Sequence, residues 1–280
     1  MSNSISQHFT PWSLLKFAAP SIIMMTFMSL YTIVDGIFIS RFIGSNALSS
    51  LNIVFPIITL AIAIGTMFST GGNAVISKYL GEGNKKRACQ CLTQFVLFCG
   101  LLSILLLAVS IFFAVPISRL LGATDLLLDD AVTYLRVAMA FAPACILQTL
   151  FQSYFVTAGR PGLGLTLMIA AGVTNAALDY ILIVPLHMGI AGAALATGIG
   201  QCIPAVAGIL FFLFSAKDLH FTRCGFYPKE TAKAAFNGSS EMVTELSTAI
   251  ITFLFNMILL RLAGEHGVAA ITILLYGEFL

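Results

Sequence analysis

The chain has 280 residues and a formal net charge of +2; hydrophobic types make up 59% of it and charged types only 9%. Soluble domains carry about 25% charged residues, so an aqueous fold of this composition would lack the polar surface it needs. The composition excludes a water-soluble globular protein and points to a polytopic membrane protein, with room for at most about eight helices of roughly 20 residues each.

The amino terminus has no basic stretch followed by a short apolar core and a small-residue cleavage site, so no removable signal is expected. Apolar windows predict spans near 13–40, 47–77, 90–115, 130–157, 163–185, 190–214 and 240–261, with an eighth opening near 267. These continuous runs exclude a barrel, whose alternating strands are only about 10 residues long. The fold class read from them is all-α.

The first run carries Asp35 near its end. A carboxylate at that depth costs roughly 2.5–3.5 kcal/mol on insertion scales, which confines it to a protein-facing or water-facing position with work to do. Tyr31, four residues earlier, shares its helix face. Pro20 lies inside the same run and removes a backbone donor, so a kink is expected there, as at Pro56 and Gly65 in the second run and Pro143 in the fourth. Small faces at Gly71-Gly72, at Gly162 with Gly164, and along 189–200 suit close helix contact.

Of the six cysteines, Cys99, Cys145 and Cys202 lie within apolar runs. Cys89 and Cys91 flank one span without a His or a second Cys pair to complete a metal site. They read as unpaired thiols acting as small hydrophobes, and no cofactor or metal site is expected from them.

Lys and Arg concentrate at the amino terminus and in every second connection: Lys16; Lys78, Lys85, Lys86 and Arg87; Arg160; Lys217, Arg223, Lys229 and Lys233. The alternate connections hold only Arg41, Arg119 and Arg261. By the positive-inside rule the amino terminus is cytoplasmic, in a multi-pass protein of the plasma (inner) membrane. The basic clusters read as topology signals in preference to lipid or nucleic-acid binding, and no nucleic-acid partner is expected.

Two stretches repeat. Residues 39–51 and 259–271 align without a gap, Arg41 on Arg261 and Gly44 on Gly264. An offset of about 220 residues spans six helices, an even number, which makes the copies parallel repeats about an axis along the membrane normal. The expected organisation is an amino-terminal six-helix lobe over 1–215, a cytoplasmic linker loop over 216–235, and the truncated start of a second lobe over 236–280.

Asp35 and Asp179 are the two acids set well inside apolar runs of the first lobe. Asn175 precedes Asp179 by one turn, and Thr197 adds a hydroxyl in the sixth span. Both aspartates fall in the outer half of the membrane. If they meet, each disfavours the other's ionisation and the pair titrates as a unit. It can then take up a proton, or bind Na+ when ionised, with Tyr31, Asn175 and Thr197 supplying further oxygens. The competing account is a structural hydrogen-bond anchor between helices. Glu241 and Glu245 open the seventh span and are candidates for a substrate-facing or second-lobe coupling role, against a solvated helix start. Gln148 and Gln152, one turn apart in the fourth span, are candidates for lining a polar cavity, against helix-to-helix bonding.

At these residues the chain resembles the multidrug and toxic compound extrusion family. The likeness is carried by Ile33-Val34-Asp35-Gly36 through Arg41-Phe42-Ile43-Gly44, Lys78 through Ala88, Ala158-Gly159-Arg160-Pro161, Asn175 through Leu182, and Gly189 through Thr197. The resemblance implies two six-helix lobes around a cavity that alternates its opening, twelve helices in a full protein. It implies a non-enzymatic antiporter, monomeric when full length, that exports cationic or amphiphilic organic compounds against H+ or Na+. It also implies an ion-handling network at Tyr31, Asp35, Asn175, Asp179 and Thr197, and a hinge at Pro20. Glu245 is a looser match, because the proline expected after Gly238 is missing. Rival readings are a lipid-linked oligosaccharide flippase of the same superfamily, an inactive truncated fragment, and an intramembrane aspartyl protease. The protease motifs are absent: Asp35 follows Val34, and Asp179 follows Ala177-Leu178.

Overall fold

The computed structural model describes residues 35–214 and 219–278 continuously, together with Ala19, Ile22, Ile23, Thr26 and Ile33. Of residues 265, 266, 269, 273 and 275–278 it describes the backbone alone. Pro20 and Tyr31 lie outside the described residues, and no β-strand occurs among those described.

The first element, α1, covers residues 35–43 and ends in a π-helical turn, Ile39–Ile43. There follow α2 (Ser45–Gly81), α3 (Lys85–Phe112), the short α4 (Ala114–Leu120), α5 (Leu128–Ala140), α6 (Ala142–Thr157), α7 (Pro161–Ile183), α8 (Gly189–Phe214), α9 (Pro228–Asn237) and α10 (Ser239–Glu278). Among the described residues, five helices (α2, α3, α7, α8 and the first part of α10) are long and apolar enough to cross a membrane, and α5 with α6, bent by 52° at the break between them, are together long and apolar enough as well. That bend falls at Phe141, with Pro143 in the first turn of α6, where its missing N–H costs no helical bond. The protein is an integral membrane protein.

The repeat between 39–51 and 259–271 has a structural counterpart. Gly44 separates α1 from α2 with φ 129°, and Gly264 breaks α10 with φ 64°. Both lie in the region of backbone space that L side chains rarely adopt, so each copy turns from one span into the next at the same aligned glycine.

The central element is α2, in contact with α3, α5, α6, α9 and α10. Pro56 lies inside this helix, which continues through it. Proline lacks the donor that would reach the carbonyl four residues back, at Asn52. Asn256 of α10 supplies it: its Nδ2 donates to the Asn52 carbonyl at 3.1 Å, and Asn52 Nδ2 donates in return to Asn256 Oδ1 at 2.9 Å. Both residues are buried. A proline gap in one helix is closed by a side chain from its neighbour, as membrane-depth backbone requires.

The segment expected as a linker loop contains a helix. Within it, α9 packs on α2 so closely that a Cβ on Gly71 would collide with the Ala234 carbonyl, and one on Gly238 with that of Met67. Gln94 of α3 holds the start of α9: it donates to the Tyr227 carbonyl at 2.9 Å and to Thr231 Oγ1 at 2.5 Å, and accepts from Tyr227 N at 3.1 Å. Buried Glu230 faces Arg87 at 3.7 Å and Lys233 at 3.4 Å, and the Arg87 guanidinium lies 3.7 Å above the Tyr227 ring.

Candidate functional site

The two aspartates meet. Asp179, fully buried on α7, and Asp35 on α1 lie close enough for their carboxyl groups to interact. Asp35 Oδ1 and both oxygens of Asp179 are buried with no donor among the described residues. Two ionised carboxylates offer only acceptors, so a contact between them holds together when a proton or a cation lies in it.

One turn before Asp179, buried Asn175 donates through Nδ2 to Thr197 Oγ1 on α8 at 3.3 Å. Gly200 permits this approach, since a Cβ there would stand 3.0 Å from the Ala171 carbonyl and 3.3 Å from Asn175 Cβ. The Asn175 Oδ1 is buried and unpartnered, and so is Gln148 Oε1 on α6. Asn175, Thr197 and Gln148 line a cavity of about 10 Å3 together with Gln201, Met168 and Ala171, a space on the order of one water molecule. Six buried side-chain polar atoms lack a partner among the described residues; five belong to Asp35, Asp179, Asn175 and Gln148, and all five are acceptor oxygens. Such atoms are rare in folded proteins. The acid pair and the cavity at Asn175, one turn apart along α7, each leave acceptors that call for a donor or a cation.

The structure therefore brings Asp35 to Asp179, and Asn175 to Thr197 and Gln148. Gln152, half-buried on α6, does not line this cavity. Glu241 and Glu245 lie at the start of α10, the first exposed and the second half-buried, and neither lines it. Gln201 was not picked out by the sequence, although its signal was available: it follows Thr197 by four residues and shares its face of α8.

With this geometry in hand, comparison with known proteins is informative. The MatE family model matches residues 20–181, more than half of the chain, and takes in Asp35, Asn175 and Asp179. The chain belongs to the MatE family. Among its MatE relatives is the multidrug export protein MepA of Staphylococcus saprophyticus, 29% identical over 201 residues, which are 71% of this chain and 44% of that protein. MepA of Staphylococcus haemolyticus is 26% identical over 206 residues, 73% of this chain and 45% of that one. The chain thus spans about half the length of the curated relatives it matches. In structure it is similar to the MATE multidrug transporter DinF-BH, at a TM-score of 0.87 and 26% identity over 96% of this chain and 62% of that one. The inward-facing conformation of a multidrug resistance MATE family transporter shares the fold at a TM-score of 0.82 and 22% identity, over 87% of this chain and 56% of that chain.

Proposed function

We propose that this MatE chain provides the ion-coupling lobe of a secondary antiporter that exports cationic or amphiphilic organic compounds in exchange for H+ or Na+. The observation that carries the reading is the contact between the Asp35 and Asp179 carboxyls, with no donor among the described residues to hold it. Two unit charges about 4 Å apart repel by roughly 4 kcal/mol at an effective dielectric constant of about 20. A proton or Na+ between the carboxyls removes that repulsion and lets α1 rest against α7. Its release restores the repulsion and pushes α1 away.

The sequence gives α1 places to yield. The π-helical turn at Ile39–Ile43 and Gly44 allow it to bend without disturbing α2, and Pro20, earlier in the same apolar run of sequence, is a further proposed hinge. Tyr31, four residues before Asp35 in the sequence, is the proposed source of a further hydroxyl for the ion. Asn175, Thr197 and Gln148 offer neutral oxygens beside the acid pair, suited to a hydrated cation or to the water that delivers a proton. Glu245 and Glu241 remain candidates for the second lobe's contribution. The names of the MepA and DinF-BH relatives support multidrug efflux as the activity and organic drugs as cargo. The distribution of Lys and Arg supports a cytoplasmic amino terminus in the plasma membrane.

The test is ethidium efflux from cells bearing the full-length gene with Asp35→Asn or Asp179→Asn, under separately imposed H+ and Na+ gradients. Each variant should lose gradient-driven efflux while inserting normally. Efflux equal to the unaltered protein in both variants would show that the pair is not the coupling site.

A further inference from the structure

The helix α9 has two faces, and among the described residues only one of them is packed. Glu230, Thr231 and Ala234 are buried against α2 and α3. Two residues past Ala234, Phe236 points about 200° around the helix from it, at about 100° per residue. It is 81% exposed. Lys229, seven residues earlier, lies about 20° from Phe236 on the same wheel, and Lys233 lies about 60° from it. Lys229 is exposed, and Lys233 keeps more than half of its side chain exposed while pairing with Glu230. In the approach to α9, Phe226 is 73% exposed and Arg223 is exposed.

Chain continuity fixes the level of this face. The span α8 ends at Phe214, and the span of α10 begins at Ser239, immediately after Gly238. With its inner face locked to α2 at Gly71 and to α3 at Gln94, α9 is held where two spans leave the membrane. Lys78, at the same end of α2, is paired with the exposed Glu82 at 3.8 Å, and the exposed Lys85 and Lys86 follow in the next turn of chain. Exposed aromatic rings flanked by cations, at the boundary of the hydrocarbon, match the chemistry of an interfacial helix on an anionic lipid surface.

We propose that the outer face of α9, centred on Phe236 with Lys229 and Lys233 beside it and Phe226 and Arg223 in its approach, docks the headgroups of anionic phospholipids. The rings enter the headgroup layer and the cations meet lipid phosphate. Because the inner face of α9 is locked to α2 and α3, lipid at this site bears directly on the junction that carries α10. This inference rests on the protein being an integral membrane protein and is independent of the antiport reading.

The chain has a single tryptophan, Trp12. Replacing it by phenylalanine and introducing Phe236→Trp gives one fluorophore on the proposed surface. The protein is reconstituted in vesicles in which either phosphatidylglycerol or phosphatidylcholine, at equal mole fraction, carries the brominated quenching chains. Phe214→Trp, at the end of α8, serves as the positive control for quencher, and Phe226→Trp as a second probe should Phe236→Trp perturb folding. Quenching at both probes should be stronger with brominated phosphatidylglycerol. Lys229→Gln or Arg223→Gln should reduce the local preference for it by up to about fivefold per cation, and raised salt should do the same. Equal quenching by the two lipids, or no quenching at either probe while Phe214→Trp is quenched, would overturn the proposal.

Discussion

The buried polar groups of this protein fall into two kinds. Where α10 meets α2 and α9 meets α3, the amides of Asn52, Asn256 and Gln94 find partners across the helix boundary, and the carbonyl orphaned by Pro56 is among the groups they satisfy. Around α7, Asp35, Asp179, Asn175 and Gln148 leave five acceptor oxygens unpartnered among the described residues. The first kind is scaffold: polar groups used to fix one helix on another. The second departs from the rule that buried polar atoms are paired, and it departs in one direction only, toward a surplus of acceptors. The contrast separates residues that hold the bundle together from residues that wait for something to bind.

The sharpest way to break this comparison is at Asp179. A scaffold residue loses stability when altered, whereas Asp179→Asn adds an amide donor where only acceptors stand. Gradient-driven efflux should fall to background, while the thermal midpoint in detergent stays level or rises. The gain is on the order of the 1–3 kcal/mol that an unsatisfied buried group costs. A large fall in the midpoint would move Asp179 into the scaffold class.

Asn256→Leu tests the opposite class. It removes the donor to the Asn52 carbonyl and the acceptor for the Asn52 amide, and should destabilise by about 1–3 kcal/mol, read as a lower thermal midpoint. The proline makes a specific rescue available. Pro56→Ala restores the N–H that the Asn52 carbonyl lacks, so the double variant should recover part of the loss. Coupling of about 0.5–3 kcal/mol in the double-mutant cycle is the range for residues sharing one network. Additive effects would mean that Asn256 does not stand in for the missing backbone donor. Gln94→Leu is the milder case. It strands groups at the start of α9, and should raise hydrogen exchange over 219–237 with little effect on the α2–α10 contact.

These residues also mark how far the sequence could be read. The spans were legible because lipid solubility demands continuous apolar runs, and the Gly44 and Gly264 breaks because a repeat aligned them. Asp35 and Asp179 stood out because a charge in an apolar run is conspicuous, and Asn175 because it lies one turn from Asp179. The continuity of α2 through Pro56 was not legible. Proline announces a missing donor, but nothing local says that a side chain 204 residues away replaces it. Nor was α9, whose ten residues are too polar and too short to register as a span. Its register depends on Gln94 and Gly71, which belong to other helices. Amides such as Asn256 and Gln201 carry no sign of whether they will end satisfied or open, since that depends on what the neighbouring helix presents.

The smallest effect is expected at a contact that looks strong by distance alone. Arg119 and Asp125 approach to 2.7 Å, closer than Arg87 and Glu230 at 3.7 Å. Yet the Asp125 side chain is 89% exposed, while that of Glu230 is 8% exposed. An exposed pair gains little over its hydration and is screened by salt, so Asp125→Asn should change stability by no more than about 1 kcal/mol. Glu230→Gln leaves Arg87 and Lys233 facing a neutral group at a packed junction, and should cost more despite the longer separation. Thermal midpoints of the two variants at low and high salt decide the matter. If the exposed pair proves the costlier to break, proximity rather than burial sets the worth of polar contacts in this bundle, and the division between scaffold and site drawn from buried atoms would lose its basis.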